Sequence, residues 1–296
     1  MGEARRRLMR KQRPESFRAG YILIIEWLDS GRRTGKELHD ALHASGHPVV
    51  YAECKCAGEV LTTLDVATKK MAGDSLIPIV HLESHGETPG LVGTNRRGEV
   101  ERLPWSALAV PLRTLNLMCR FNLLVVSAAC HGLTSIRAFE VSNAAPFFMA
   151  IGFSSTVNEG RLYQAMRELY RCIFTNGMYI QQAIQSANRE LFSSEGERLI
   201  GTDCRRLGHL LVEGAFEYIL DPVQRQIHVA SLREQDNNMS SEDLNNSLVS
   251  EMHRHCRKIS ATWYAYDKFP ENKARFEMDV SAMFEAAERK REQVDK

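Results

Sequence analysis

The feature that most restricts the fold of this chain is an alternation of short apolar runs with amphipathic segments. Five apolar runs are typical of buried strands, at residues 21–28, 47–54, 75–86, 121–130 and 146–157. Segments with apolar residues at helical spacing lie between or after them, at residues 34–45, 58–71, 105–119, 160–177 and 179–192. Strands that alternate with helices in this way favour a mainly parallel sheet with helices on both faces. The sequence therefore predicts an α/β fold, arranged as a three-layer αβα sandwich.

The rest of the chain suggests an insertion and an extension. Residues 87–104 are polar and turn-rich, which predicts a hairpin inserted between core elements. Residues 232–247 are rich in Asn and Ser and read as a loop, whereas 248–264 and 272–293 have helical patterns. We therefore expect a sheet domain over residues 20–194, preceded by an arm at 1–19 and followed by a mostly helical extension at 195–296.

The predicted arm is strongly basic, while the whole chain is nearly neutral. Residues 1–13 hold six Arg and Lys against one Glu, and the formal net charge is +1. A solvated terminus or a docking arm for an acidic partner would both fit this pattern. The overall balance predicts neither nucleic-acid nor membrane binding.

Two further features bear on the compartment. No apolar run approaches the ~18 residues of a membrane span, and the run at 21–28 is too short, and interrupted by Glu26, for a signal peptide. Seven cysteines, an odd number, favour free thiols. We expect a cytoplasmic protein.

Chemically reactive side chains follow two of the predicted strands. His85-Gly86 ends the third strand, and Ala129-Cys130-His131-Gly132 ends the fourth, so that the histidine precedes the cysteine by 45 residues. Ligands of parallel sheets bind beyond the carboxyl ends of the strands, where both motifs are expected. A thiol with a nearby imidazole is a potential nucleophile and base. Taken alone, Cys130 would read as a small buried apolar residue.

The pair of motifs resembles the caspase-like fold of clan CD cysteine peptidases. The downstream sequence is closer to the CHAT branch, which includes bacterial caspase-like peptidases and separases. "GEVERLPWSAL" resembles the hairpin and helix between the histidine and cysteine strands, and "FFMAIGFSSTV" resembles the strand after the cysteine. "LYRCIFTNGMYIQQAIQSANREL" resembles the closing helix pair. The resemblance covers roughly residues 20–192.

The resemblance implies a role for each residue of the two motifs. Cys130 would be the nucleophile of a cysteine endopeptidase, and His85 would protonate the leaving amine and help to form the thiolate. The backbone N–H groups of Gly86 and Cys130 would form the oxyanion hole. No cofactor is implied. His131, the neighbour of the nucleophile, is expected to be structural or to line the pocket, and His81 is expected to lie in the core.

The sequence departs from the caspase pattern at Ala128, where caspases have glutamine, and at His131. The missing glutamine argues against aspartate specificity, and many other clan members cleave after basic residues through an acidic pocket. Glu53, Glu83 and Glu159 lie near predicted strand ends and are the candidates for such a pocket. Bacterial members of the group act in defence or regulated cell death, so the resemblance implies a protein substrate. Because a free protease in the cytosol is dangerous, we also expect regulation through a protein partner, and cleavage within 232–247 is one hypothetical activation route.

Other site types fit the sequence less well. "HLESH" (81–85) does not match the zinc-protease pattern H-E-x-x-H, and the tracts at 54–56 and 253–256 lack the usual zinc spacing, so no metal site is predicted. Residues 30–39 fail the phosphate-loop pattern, and no G-x-G-x-x-G follows the first strand, which argues against a nucleotide binder. A caspase-fold binding or scaffold protein with an inert Cys130 stays open as the alternative to an enzyme.

Overall fold

The structure is a computed structural model that describes residues 19–29, 31–138, 142–174, 178–191, 198–235 and 240–294. Of the predicted basic arm, only Ala19 falls within these ranges. The described residues form two compact units, one within 1–139 and 146–202 and the other within 140–145 and 203–296.

The first unit contains a mixed, mainly parallel sheet, so the predicted α/β class is confirmed. The strands are β1 (Tyr21–Trp27), β2 (Val49–Glu53), β3 (Pro78–Glu87), β4 (Gly90–Thr94), β5 (Val100–Pro104), β6 (Leu124–Ala128), β7 (Met149–Phe153) and β8 (Leu199–Asp203). The spatial order is β2-β1-β3-β6-β7-β8, and the neighbours from β2 to β7 run parallel. The predicted hairpin is formed by β4 and β5, which pair antiparallel with each other. β4 also pairs antiparallel with the last residues of β3.

Helices lie against both faces of this sheet. They are α1 (Thr34–Ala44), α2 (Ala57–Asp74), α3 (Trp105–Met118), α4 (Glu159–Phe174) and α5 (Ile180–Glu190). Apolar side chains of β1, β3, β6 and β7 form one core with α1, α4 and α5. On the other face, α3 packs through Leu108 and Leu112 beside Leu82 and Val125 of the sheet. The central strands are buried on both faces, which explains why their sequences read as continuous apolar runs.

One strand of the sheet was not predicted from the sequence. β8 lies next to β7, and its first residue is fixed by Asn188 of α5, whose side chain accepts from Leu199 N at 2.8 Å and donates to Leu199 O at 2.9 Å. Only Leu199 and Ile200 are apolar within β8, so the local pattern is too short to indicate a strand. The sheet unit therefore extends to residue 202, beyond the predicted boundary at 194.

The second unit is built from helices α6 (Cys204–Leu220), α7 (Pro222–Gln235), α8 (Ser241–Trp263), α9 (Glu271–Arg275) and α10 (Val280–Val294). Its core contains Phe216, Met252, Cys256 and Phe284. None of the described helices, in either unit, is long and apolar enough to cross a membrane.

The predicted loop at 232–247 is wrong over most of its described length. α8 begins at Ser241, because the Ser240 hydroxyl accepts from Asp243 N at 3.1 Å and caps the helix. Leu244 and Leu248, four residues apart, are buried on one side of this helix. Because the segment is mostly polar, its sequence does not indicate that the start of α8 is an amphipathic helix.

Candidate functional site

The two reactive motifs meet at the carboxyl-terminal edge of the sheet. β3 and β6 are parallel neighbours, with Glu83 opposite Ala128, so the residues that follow leave the sheet side by side. Gly86 lies against Cys130: a Cβ atom on Gly86 would overlap the Cys130 carbonyl oxygen. The fold thus brings together His85-Gly86 and Ala129-Cys130, which are remote in the sequence.

His85 lies within β3, whereas Cys130 lies two residues beyond the end of β6. Side chains alternate along a strand, so His85 shares a face of β3 with Ile79 and Glu83. Ile79 and Val126 belong to the core beneath α4. Both His85 and Cys130 are half-buried, which leaves the imidazole and the thiol partly accessible from solvent.

Cys130 itself offers two groups for chemistry, its thiol and its backbone N–H group. The Sγ atom lies 4.0 Å from the carbonyl oxygen of Val157, to which the thiol donates. Within the part of the chain that the structure describes, the N–H group of Cys130 has no hydrogen-bond partner. A backbone N–H beside a nucleophile is the type of donor that stabilises an oxyanion.

The turn after Cys130 is held in a left-handed conformation. His131 has a φ of 55°, and its backbone N–H donates to Ser155 O at 3.1 Å. Its ring Nδ1 donates to Ser154 O at 3.2 Å. Gly132 then approaches Ser127 so closely that a Cβ atom would overlap the Ser127 hydroxyl. His131 therefore links the turn after β6 to the segment after β7.

A buried polar network lies along the same face of β1 and β3. His81 is fully buried, with Nε2 2.9 Å from Glu83 Oε2 and Nδ1 2.8 Å from the Tyr170 hydroxyl. Thr34, at the first position of α1, donates to Glu83 Oε1 at 2.8 Å. Glu26, paired in register with Glu83, accepts from Gly35 N at 2.6 Å and from the Tyr51 hydroxyl at 2.5 Å.

Burial dominates the electrostatics of this network. It raises the pKa of Glu26, and the nearby Glu83 carboxylate adds to that effect. Burial also raises the pKa of Tyr170. Sequence reasoning missed Glu26, Thr34 and Tyr170 as members of the network. The only local signal was a glutamate inside an otherwise apolar strand.

The three carboxylates predicted to form an acidic pocket lie in different environments. Glu83 belongs to the buried network and has two partners there. Glu53 is exposed at the end of β2, where a hydrogen bond from Lys55 lowers its pKa and Arg33 lies 3.8 Å away. Glu159, the first residue of α4, is also exposed and lies 3.4 Å from Arg32.

A cavity of about 620 Å³ opens at this edge of the sheet. Its charged lining residues are Glu26, Asp29, Arg32, Arg33, Glu53, Lys55 and Arg96. Arg32, one of its lining residues, pairs with Glu159 at 3.4 Å, and Glu159 follows by two residues Val157, whose carbonyl oxygen lies 4.0 Å from the Cys130 thiol. The cavity has the size of a small-ligand or side-chain pocket.

The remaining cysteines and histidines do not form a metal centre in the described residues. No group of three or more His, Cys, Asp or Glu side chains there is arranged to hold a metal ion. Burial raises the pKa of both Cys54 and Cys256 to about 11, which keeps these thiols protonated and unreactive near neutral pH.

Comparison of the chain with protein-family models gives no match, and neither does comparison with curated proteins.

Proposed function

We propose that this chain is a caspase-like cysteine endopeptidase of the CHAT type, with His85 and Cys130 as its catalytic dyad. The observation that carries the proposal is the contact between Gly86 and Cys130 across β3 and β6. It sets a strand-His-Gly motif beside a strand-Cys motif at the edge of a parallel sheet where ligands bind. The half-buried thiol of Cys130 and its N–H group, which has no hydrogen-bond partner among the described residues, support the same reading.

The reaction would proceed through an acyl-enzyme. The Cys130 thiolate attacks the carbonyl carbon of the scissile bond, a C–S bond forms, and the carbonyl electron pair moves to oxygen. The N–H groups of Gly86 and Cys130 donate to that oxyanion. As the intermediate collapses, the C–N bond breaks and the His85 imidazolium gives its proton to the leaving amine. Water then attacks the thioester carbonyl carbon and gives a proton to His85, the C–S bond breaks, and the carboxylic acid is released, which leaves Cys130 as a thiolate beside the His85 imidazolium.

The cavity at the sheet edge is the proposed site for the substrate side chain before the cleaved bond. Glu53 is the one of the three predicted pocket carboxylates that lines it. A preference for basic residues would rest on this carboxylate, for which Arg33 and Lys55 compete. A peptide library tests the preference, with Lys or Arg at that position in one set of peptides and Asp or Glu in a matched set. The cleavage of the two sets is compared for the wild type and for Glu53→Ala.

The biological setting of the proposal comes from the resemblance alone. We propose a cytoplasmic enzyme that cleaves a partner protein in a regulated pathway of antiviral defence or cell death. Its control would involve a regulatory protein or complex.

Alkylation kinetics test the dyad before any substrate is identified. Cys130 and Cys56 are the two half-buried cysteines, and the other five are buried, so Cys56 is a matched internal control. With iodoacetamide near neutral pH, Cys130 should react at least about tenfold faster than Cys56, because the thiolate is the nucleophile. His85→Ala should slow Cys130 alone. Equal rates at both thiols, unchanged by His85→Ala, would refute the dyad and favour a caspase-fold scaffold with an inert cysteine.

A further inference from the structure

The helical unit contains a groove between α6, α7 and α8, with a volume of about 670 Å³. Its lining includes Tyr218 of α6, His228 of α7, and Leu248, Met252, Lys258 and Ile259 of α8. We propose that this α6–α8 groove binds an amphipathic helix of a partner protein, with apolar residues facing the groove and acidic residues along the edge. The proposal concerns recruitment of a partner and does not depend on the chemistry of Cys130.

The shape of the groove matches a helix of three turns. Along α8, the lining runs from Leu248 to Ile259, which is about 16 Å at 1.5 Å per residue. Leu248 and Met252 are buried and provide an apolar base. A partner helix with apolar residues at i, i+4, i+7 and i+11 would present a stripe of this length.

The charge of the groove selects an acidic occupant. Among the described lining residues, Glu251 is the one carboxylate, and Arg254 already pairs with it at 2.9 Å. Lys258 has no ion-pair partner among the described residues, so the uncompensated charge is positive. The same charge disfavours the chain's own basic segment at residues 1–13, which holds six Arg and Lys.

Exposed apolar side chains on the same helices favour a protein partner over a small amphiphile. Tyr218 lines the groove and is 56% exposed. On α7, Val223 and Ile227 are 62% and 57% exposed, and Ile227 directly precedes the lining residue His228. A pocket-sized ligand would leave Val223 and Ile227 in water, whereas a helix lying along the groove would cover apolar surface beyond the cavity.

Binding of two designed peptides to the full chain tests the proposal. Both carry Leu at i, i+4, i+7 and i+11 and a fluorescent label, and they differ only in having Glu or Lys at the flanking positions. By fluorescence anisotropy, the Glu peptide should bind at least about tenfold more tightly than the Lys peptide. Lys258→Glu should remove that preference. Lys273→Glu, on α9 outside the groove lining, is the matched control and should keep it.

Three results would overturn the proposal. They are failure of the Glu peptide to bind at protein concentrations up to about 1 mM, equal binding of the two peptides, and an equal effect of Lys258→Glu and Lys273→Glu. Displacement of the bound Glu peptide by dodecanoate at a tenfold lower concentration than by unlabelled peptide would assign the groove to a small amphiphile instead. Both variants change exposed lysines, and their melting temperatures, compared with the wild type, check that they fold.

Discussion

Gly86 and Cys130 touch through their backbones, and no Cβ atom fits between them. The contact joins the end of β3 to the turn after β6, and it constrains the position of Cys130 relative to the edge of the sheet. The absence of a side chain at position 86 is therefore a geometric requirement of the site, whether that site catalyses a reaction or binds a ligand.

Gly86→Ala should displace Cys130 and destabilise the fold by about 1–3 kcal/mol, because the added methyl group overlaps a backbone carbonyl rather than a side chain that could move. In the proposed enzyme, the same displacement should lower peptidase activity about 100-fold. Urea denaturation and the rate of Cys130 alkylation measure the two effects.

Gly73→Ala is the matched control for this substitution. A Cβ atom on Gly73, near the end of α2, would meet nothing within 4 Å, and alanine is the better helix former. Its stability should be unchanged or slightly higher. Equal behaviour of the two variants would show that the contact at Gly86 does not constrain Cys130.

Glu83 and Glu53, both predicted as pocket residues, should respond differently to removal. Glu83→Ala leaves the buried partners Thr34 and His81 without their carboxylate, which should cost about 3 kcal/mol of unfolding free energy. Glu53→Ala removes an exposed carboxylate and should change stability by less than about 0.5 kcal/mol. Denaturation curves of both variants make the comparison, and a large loss in Glu53→Ala with none in Glu83→Ala would contradict the assigned environments.

The sequence was most informative where burial alone decides the structure. The strands β1, β3, β6 and β7 are buried on both faces, so their apolar runs stand out without any knowledge of their neighbours. The edge at which His85 and Cys130 emerge followed from the same pattern, because parallel strands deliver their carboxyl ends to one side.

Features that depend on contacts between distant elements escaped prediction. β8 is held by the side chain of Asn188, which its own residues do not indicate. In the buried network, Thr34 of α1 donates to Glu83, and Tyr170 of α4 lies beside His81. No spacing along the chain predicts these contacts. The first turn of α8 was hidden because a capping serine and polar neighbours resemble a loop.

Tyr170→Phe tests the buried network without creating a large cavity. It removes the hydroxyl that lies 2.8 Å from His81 Nδ1 and leaves that nitrogen buried without this partner, which should cost about 1–3 kcal/mol. Tyr163→Phe, at a half-buried position on the same helix, should be nearly neutral. Thermal melting of the two variants separates these outcomes, and equal melting temperatures would mean that water or a rearranged partner satisfies His81.

Glu168 joins α4 to α5 and should make stability depend on acid pH. Its carboxylate accepts from Arg171 at 2.7 Å and from the Ser186 hydroxyl of α5 at 2.6 Å. The hydrogen bond from Arg171, followed by that from Ser186, lowers the pKa of Glu168 to about 2. Because the folded pKa lies below the unfolded one, the folded state binds this proton less tightly. The contribution is therefore fully present above about pH 5 and is lost as the pH falls toward 2.

Glu168→Gln should accordingly be less stable than the wild type by about 1–3 kcal/mol at neutral pH, and the difference should shrink progressively as the pH is lowered to about 3. Urea denaturation across this range measures the difference. Glu251→Gln provides the control, because Glu251 forms the same i,i+3 pair with an arginine but is 56% exposed, against 14% for Glu168. Solvent screens that pair, so its removal should have little effect at any pH. A stability difference in Glu168→Gln that stays constant with pH would show that the carboxylate acts only through packing.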